Sequence, residues 1–280
     1  MRFREEQLDV VRRLSAGAKV YQNFFLRKPE FREQFNDNYV ALQCFLDNYA
    51  HERQGAARAY PRIATTTIER IFDGKLNSVA VEDAGKAWSV YKEIAKADFD
   101  NLKLNEKRNP MFSDAGILKV MATQKVSNIA NHARTLITDG KTRYAHRFME
   151  SIRGIGTKIA SFYLRDIAYL SGLKESTIKD QYCLQPVDTW LGQTLSIIFG
   201  DNAPTGTRNR QKVIVELSIE ANCSPISFNQ GAWVFGSQVA GDFKTFRKIA
   251  EGDNPKSIVK SHLLERQKYV DEIRKLLTNM

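Results

Sequence analysis

Residues 152–160 read Ile-Arg-Gly-Ile-Gly-Thr-Lys-Ile-Ala, and the helices expected on either side of them decide the fold. Helical spacing of apolar residues predicts one helix over 143–152 and a second over 157–170, which has no internal glycine or proline. Gly154 can take the left-handed conformation that ends a helix, and Gly156 allows a tight turn whose backbone approaches a ligand closely. The N–H groups at the start of the second helix then favour an anion such as a phosphate. The stretch therefore predicts a helical hairpin that grips a phosphate.

The rest of the chain has helical periodicity, and no part of it predicts a convincing sheet. Asp188 or Thr189 is a natural N-cap for a helix over 190–199. A strand stays open as an alternative at 213–215, where three β-branched residues follow one another. Other helices are expected over residues 5–25, 31–51, 64–72, 79–97, 114–137 (in one piece or two), 212–221, 225–239 and 253–277. Linkers or loops are expected at 54–60, 101–110 and 200–209, and a long polar connector at 171–185. The sequence therefore predicts an all-α fold.

The charge of the chain favours a polyanionic partner. Its 280 residues carry a net charge of +10, which suits nucleic acid or an anionic membrane, although many soluble proteins are basic without such a partner. The surplus is concentrated at the hairpin, because residues 141–170 contain six basic and two acidic side chains. Charged residues within the first fifteen positions argue against a secretory signal, and no apolar run reaches the length that spans a bilayer. We therefore expect an intracellular protein with no membrane partner.

The cysteines and histidines give no sign of a metal site. Three cysteines and four histidines are scattered along the chain, and there is no Cys-x-x-Cys pair. Neither a structural zinc site nor an iron–sulfur loop is expected from that pattern. Few, widely spaced cysteines also suit a reducing compartment. We expect no metal and no cofactor.

A carboxylate follows the hairpin in Pro186-Val187-Asp188-Thr189, just before an apolar helix. Together with the run 152–160, this segment resembles the helix–hairpin–helix glycosylase superfamily of base-excision repair. Members carry a Gly-x-Gly hairpin, often with a lysine two positions after the second glycine, and an essential aspartate in a downstream Val-Asp-Thr or similar segment. The matching residues in this chain are Gly154, Gly156, Lys158 and Asp188.

Within that superfamily, the hairpin through residues 161–165 looks most like the archaeal-type 8-oxoguanine glycosylase/lyases. The close match covers about forty residues, with a looser all-helical match over the rest. Arg153 stands where members commonly have a proline, and the cysteine-rich loop that ends some relatives is absent. Lys158 and Asp188 are 30 positions apart, which is longer than in most members but similar to one archaeal branch. With these departures, the resemblance indicates the overall branch of the superfamily more strongly than the damaged base that the protein would remove.

The resemblance implies two helical lobes with double-stranded DNA held in the cleft between them. One lobe would comprise residues 61–176 and contain the hairpin, and both chain ends, 1–60 and 177–280, would form the other. We expect a monomer whose partner is duplex DNA containing a damaged base.

The resemblance also implies roles for the residues around the hairpin. Gly154 and Gly156, with Thr157 and Arg153, would bind DNA phosphates and carry no sequence information. Lys158 would attack the sugar C1′, form a Schiff base and permit β-elimination at the abasic site, which requires an uncharged amine. Asp188 would stabilise positive charge developing on the sugar and help to move protons. Taken alone, Lys158 could be a phosphate contact, and Asp188 is most simply an N-cap.

The damaged nucleotide must leave the duplex and enter a pocket. In the segment 228–235, Gln230 could hydrogen-bond a base edge and Trp233 could stack on it, and Phe235 is a further pocket candidate. Gln22 is a further candidate of the same kind. The alternative is that Trp233 and Phe235 are core residues and Gln230 is exposed.

The resemblance thus implies a DNA glycosylase with AP lyase activity for an oxidised purine, with 8-oxoguanine as the expected base. Another lesion, such as an oxidised pyrimidine or an alkylated purine, stays open within the family. A non-catalytic DNA-binding hairpin in a repair assembly is the alternative outside it.

Overall fold

A computed structural model describes residues 3–51, 59–98, 112 and 115–252, with positions 257, 260, 261, 264 and 267. Every regular element in these residues is helical, so the all-α prediction is confirmed. In the same residues no helix has the length and apolar character needed to cross a membrane. The expected linker at 54–60, loop at 101–110 and tail helix at 253–277 lie largely or wholly outside the described residues.

The helices have clear bounds. In chain order they are α1 Glu5–Ser15, α2 Ala18–Phe24, α3 Pro29–Glu33, α4 Asn38–Phe45, α5 Ala59–Phe72, α6 Val81–Asp98, α7 Ile117–Thr123, α8 Ile129–Thr138, α9 Thr142–Ser151, α10 Thr157–Leu170, α11 Thr189–Phe199, α12 Thr207–Glu220, α13 Pro225–Trp233 and α14 Phe243–Glu251. The π-helical segments Leu46–Ala50 and Val234–Ala240 continue α4 and α13, and short 3₁₀ turns lie at Glu175–Thr177, Gln181–Leu184 and Gly200–Asn202.

The chain divides into two compact units. The terminal unit comprises Met1–Phe25 and Val187–Met280, and the middle unit comprises Leu26–Pro186. These boundaries differ from the predicted ones, which lie after residues 60 and 176. Residues 26–51 pack into the middle unit because Phe45 and Tyr49 lie against Tyr163, with both pairs of ring centroids 5.0 Å apart.

The terminal unit has an apolar core built from α1 and α11–α14. Leu14, Phe228 and Phe246 are among its fully buried side chains. Helices α1 and α13 approach each other closely at Gly231, where an added Cβ would lie 1.9 Å from the carbonyl oxygen of Leu14. Because backbone cannot yield as a flexible side chain does, only glycine fits this crossing of α1 and α13.

The middle unit is organised around α10, which buries an ion pair. Arg165 and Asp166 are 1% and 0% exposed, and their side chains are 2.9 Å apart. The Tyr49 hydroxyl donates to the second oxygen of Asp166 at 3.1 Å. Burying two charges is tolerable only when each is paired and hydrogen-bonded, so this cluster fixes α10 against the segment Leu46–Ala50.

Several predicted helices are interrupted by residues that cap the next helix. The expected helix at 31–51 breaks at Asp37, whose side chain accepts from the Val40 amide. The expected helix at 114–137 is in two pieces, and Asn128 caps the second by accepting from the Asn131 amide.

Two further stretches differ from expectation. The segment 171–185 is not a purely polar connector, because Tyr182, Cys183 and Leu184 are buried in a 3₁₀ turn. The strand alternative at 213–215 is wrong, because these residues lie within α12.

Candidate nucleic-acid interface

The turn between α9 and α10 has the backbone that its glycines predicted. α9 ends at Ser151 and α10 begins at Thr157. Gly154 has a φ of +88°, the left-handed region that an L side chain rarely adopts. Gly156 is extended, with φ −97° and ψ 176°, and caps α10. The first glycine therefore reverses the chain, and the second directs it into the helix.

The turn presents backbone amides at an open surface. The first intrahelical bond of α10 is donated by the Ala160 amide to the Gly156 carbonyl at 3.0 Å. The amides of Thr157, Lys158 and Ile159 precede that bond and have no acceptor within the helix. A Cβ added at Gly156 would meet no atom within 4 Å. The geometry suits an oxyanion that approaches the start of α10.

The basic side chains predicted for the site lie on this turn. Arg153 is exposed, and its amide donates to the Ala115 carbonyl at 2.6 Å, which ties the turn to the segment before α7. Lys158 is half-buried in the first turn of α10, two residues after Gly156. The structure thus brings together Arg153, both glycines, Thr157 and Lys158.

A hydrogen-bonded chain behind the turn joins α9 to α10. The Thr157 hydroxyl donates to Glu150 at 2.6 Å, and the other oxygen of Glu150 lies 3.2 Å from Nδ1 of His146. Nε2 of His146 lies 3.1 Å from the hydroxyl of Ser161. His146 and Ser161 are buried. These hydrogen bonds were not predicted from the sequence. The spacing of four could have indicated them, because it places 146 with 150 on one face of α9 and 157 with 161 on one face of α10.

Asp188 is the N-cap of α11. Its Oδ1 accepts from the Leu191 amide at 2.8 Å, which confirms the capping prediction. Asp188 belongs to the terminal unit and Lys158 to the middle unit. The catalytic role of Asp188 stays a prediction.

The residues predicted for the base pocket meet within the terminal unit. Gln22 on α2 donates from Nε2 to Oε1 of Gln230 at 2.9 Å. Gln230 is 0% exposed, so the alternative in which it lies at the surface is wrong. This pairing joins residues 208 positions apart, and no local pattern in the sequence signals it.

The aromatic residues of that segment pack within the protein. The half-buried ring of Trp233 makes edge contacts with Tyr21 and Phe25, with centroids 5.6 and 5.2 Å apart. Phe235 lies against Gly17, where an added Cβ would be 2.9 Å from its ring. Trp233 and Phe235 therefore pack against other residues of the terminal unit, as the alternative to a base pocket predicted.

A surface groove of about 440 Å³ lies elsewhere in the terminal unit, at α1, α11 and α14. Residues lining it include Gln7, Arg13, Ile198 and Glu251, and none of the predicted site residues is among them. In the part of the chain that the structure describes, no three histidine, cysteine or acidic side chains cluster as a metal site would require.

Comparisons with known proteins give little further information. No family model matches the chain, and no solved structure matches it. The chain is similar to the uncharacterized protein MJECL21 of Methanocaldococcus jannaschii, with 26% identity over 161 residues. That similarity covers 51% of this chain and 37% of the archaeal protein.

Proposed function

We propose that the chain is a DNA glycosylase with AP lyase activity, acting on an oxidised purine, and that α9 and α10 form a helix–hairpin–helix motif. The observation that carries the proposal is the position of Lys158. It lies in the first turn of α10, beside amides that face an open surface and after a left-handed glycine. A phosphate held by those amides would bring the sugar of the same strand towards the lysine. The DNA-binding cleft expected from the resemblance stays a prediction.

The proposed reaction begins when uncharged Nζ of Lys158 attacks C1′ of the flipped nucleotide. The bond between C1′ and the base breaks, and its electron pair leaves with the base, which takes up a proton. The sugar ring then opens to a Schiff base between C1′ and the lysine. Loss of a C2′ proton followed by cleavage of the C3′–O bond nicks the strand, and water releases the lysine.

Asp188 is proposed to oppose the positive charge that develops on the sugar during base release. Its Oδ1 is held by the Leu191 amide, which fixes the carboxylate in one orientation. A fixed charge needs no reorganisation when the transition state forms, and this is what makes such a group effective.

The glutamine pair supports 8-oxoguanine as the base. The bond from Nε2 of Gln22 to buried Gln230 holds the Gln22 amide in one orientation, and in this proposal its carbonyl oxygen faces the base. 8-Oxoguanine carries a hydrogen on N7, whereas guanine has an acceptor there. A carbonyl oxygen that accepts from N7–H would therefore favour the oxidised base, and a site that must satisfy a polar group discriminates strongly.

Base release and strand nicking on duplexes with different lesions test the proposal. We expect release of 8-oxoguanine with a nick at the site, loss of both in Lys158→Gln, and slow base release with normal DNA affinity in Asp188→Asn. Equal losses of binding and release in Asp188→Asn would reduce Asp188 to its capping role. Release of a different base would retain the chemistry and overturn the lesion assignment.

The second candidate is a non-catalytic DNA-binding hairpin. Its support is that Asp188 already has a structural role as the α11 cap, and that a lysine beside phosphate-binding amides is a common backbone contact. Duplex binding without base release or nicking on any lesion in the panel would favour this function.

A further inference from the structure

The outer face of α9 carries an arginine and a tyrosine that no predicted role uses. Tyr144 is 61% exposed, which is unusual for so large a side chain. The guanidinium of Arg147, one helical turn later, lies over the Tyr144 ring at 4.6 Å from its centroid. This contact holds an otherwise flexible cation in one place.

Arg147 differs from its neighbours in how its charge is balanced. The guanidinium of Arg143 lies 3.0 Å from Asp180 and also donates to the Tyr182 hydroxyl. Lys141 has Asp139 at 3.9 Å. Arg147 is exposed and has no ion-pair partner among the described residues. Its guanidinium therefore offers hydrogen-bond donors to an anion from outside the chain.

Tyr144 and Arg147 lie on the face of α9 that leads to the hairpin turn. Tyr144, Arg147 and Ser151 are spaced by three and four residues, so they share one exposed face of α9. That face leads to exposed Arg153 and Gly154 in the turn. At a rise of about 1.5 Å per residue, the helix from Arg147 to the end of α9 at Ser151 spans roughly 6 Å, about two nucleotides along a DNA strand.

We propose that Tyr144 and Arg147 form a second DNA-backbone contact, in which Arg147 binds a phosphate about two nucleotides from the one held at the hairpin. Tyr144 orients the guanidinium by stacking and does not itself contact a base. This inference rests on the DNA-binding part of the proposed function and not on its chemistry. Charge complementarity favours the phosphate backbone over a protein partner, because the surrounding stretch 141–170 is strongly basic.

The test is the salt dependence of duplex binding, with a tetrahydrofuran abasic analogue that the lyase cannot cleave. Arg147→Gln is expected to lower the slope of log affinity against log salt by about 0.9, the value for one phosphate. That change corresponds to roughly eight-fold weaker binding at 0.1 M salt if both proteins bind equally at 1 M. Arg147→Lys keeps the charge and is expected to keep the slope. The matched control is Arg70→Gln on α5, an exposed arginine near Glu93 that should leave the slope unchanged.

The tyrosine is tested separately from the charge. Tyr144→Ala is expected to weaken binding about two- to five-fold, the value of an exposed cation–π contact, while the salt slope stays at the wild-type value. Tyr144→Phe retains the ring and should bind as the wild type does. Loss of affinity in Tyr144→Phe equal to that in Tyr144→Ala would overturn the orienting role.

Shortened duplexes test the location. Removing base pairs from one side of the abasic site should abolish the difference between wild type and Arg147→Gln once fewer than about two nucleotides remain there. Trimming the other side should leave the difference intact. An unchanged slope in Arg147→Gln, or no effect of trimming on either side, would overturn the second contact. Nicking activity is measured on the same preparations, so that loss of this DNA contact can be distinguished from failure of the glycosylase proposal.

Discussion

Replacing Gly156 by alanine tests whether a ligand approaches the turn before α10. The native backbone there, φ −97° and ψ 176°, is open to alanine, and the new Cβ would meet no protein atom within 4 Å. Alanine is a poorer N-cap than glycine by some tenths of a kcal/mol, and it also reduces the freedom of the unfolded chain by about 0.4–1 kcal/mol. These effects oppose each other, so the free energy of unfolding should change by less than about 1 kcal/mol.

The effect on DNA binding should be much larger. The added methyl group would stand where a phosphate reaches the amides of Thr157 and Lys158. Losing one charge-assisted hydrogen bond costs about 1.5–3 kcal/mol, so the dissociation constant should rise at least about ten-fold. Fluorescence anisotropy with a labelled duplex and thermal unfolding of the same preparation measure the two quantities together.

Two further glycine variants distinguish the effect of a blocked ligand from the effect of a strained backbone. Gly154→Ala places an L side chain at a φ of +88° and should cost about 1–2 kcal/mol of stability. Gly172→Ala is the matched control, because its φ is +64°, its Cβ would also meet nothing within 4 Å, and it follows the far end of α10. It should lose similar stability with unchanged DNA affinity. Wild-type affinity in a folded Gly156→Ala variant would refute the phosphate-binding reasoning.

Three further outcomes follow from packing and burial. Gly231→Ala should lower the free energy of unfolding by about 2–3 kcal/mol or more, since its Cβ would meet the Leu14 carbonyl oxygen at 1.9 Å; an unchanged melting temperature would contradict this contact. Burial raises the pKa of the Cys44 thiol to about 12, so iodoacetamide at pH 8 should label half-buried Cys223 long before Cys44, and mass spectrometry of the peptides gives the order. Burial lowers the pKa of His132, so on acidification the unfolded chain takes up this proton before the folded protein does, and the free energy of unfolding should fall as the pH drops below about 6.5. In urea unfolding, His132→Gln should lose less of that free energy between about pH 7 and 5 than the wild type does. Equal losses in the two proteins would contradict the role given to His132.

The sequence predicts best what depends on neighbouring residues. The φ of Gly154 and the capping of α11 by Asp188 follow from local backbone chemistry, and both are confirmed. Helical periodicity gave the all-α class but joined α3 to α4, because a capping Asp37 interrupts the helix without interrupting the apolar pattern.

Other features depend on contacts between distant residues, which periodicity does not encode. Gln22 and Gln230 are paired across 208 positions, so burial of Gln230 could not be foreseen. The chain from Thr157 through Glu150 and His146 also joins two helices. The boundaries of the two units differ from the predicted ones for the same reason. Phe45 packs against Tyr163 of α10, and composition does not reveal a contact between residues so far apart in sequence.

Identification of the attacking residue tests the central claim most directly. The protein is incubated with an 8-oxoguanine duplex, the Schiff base is reduced with borohydride, and the digested adduct is mapped by mass spectrometry. The deoxyribose remnant should lie on Lys158, and Lys158→Gln should give no adduct while it still binds the duplex. An adduct on a different residue, or none from a wild-type protein that binds the duplex, would contradict the account.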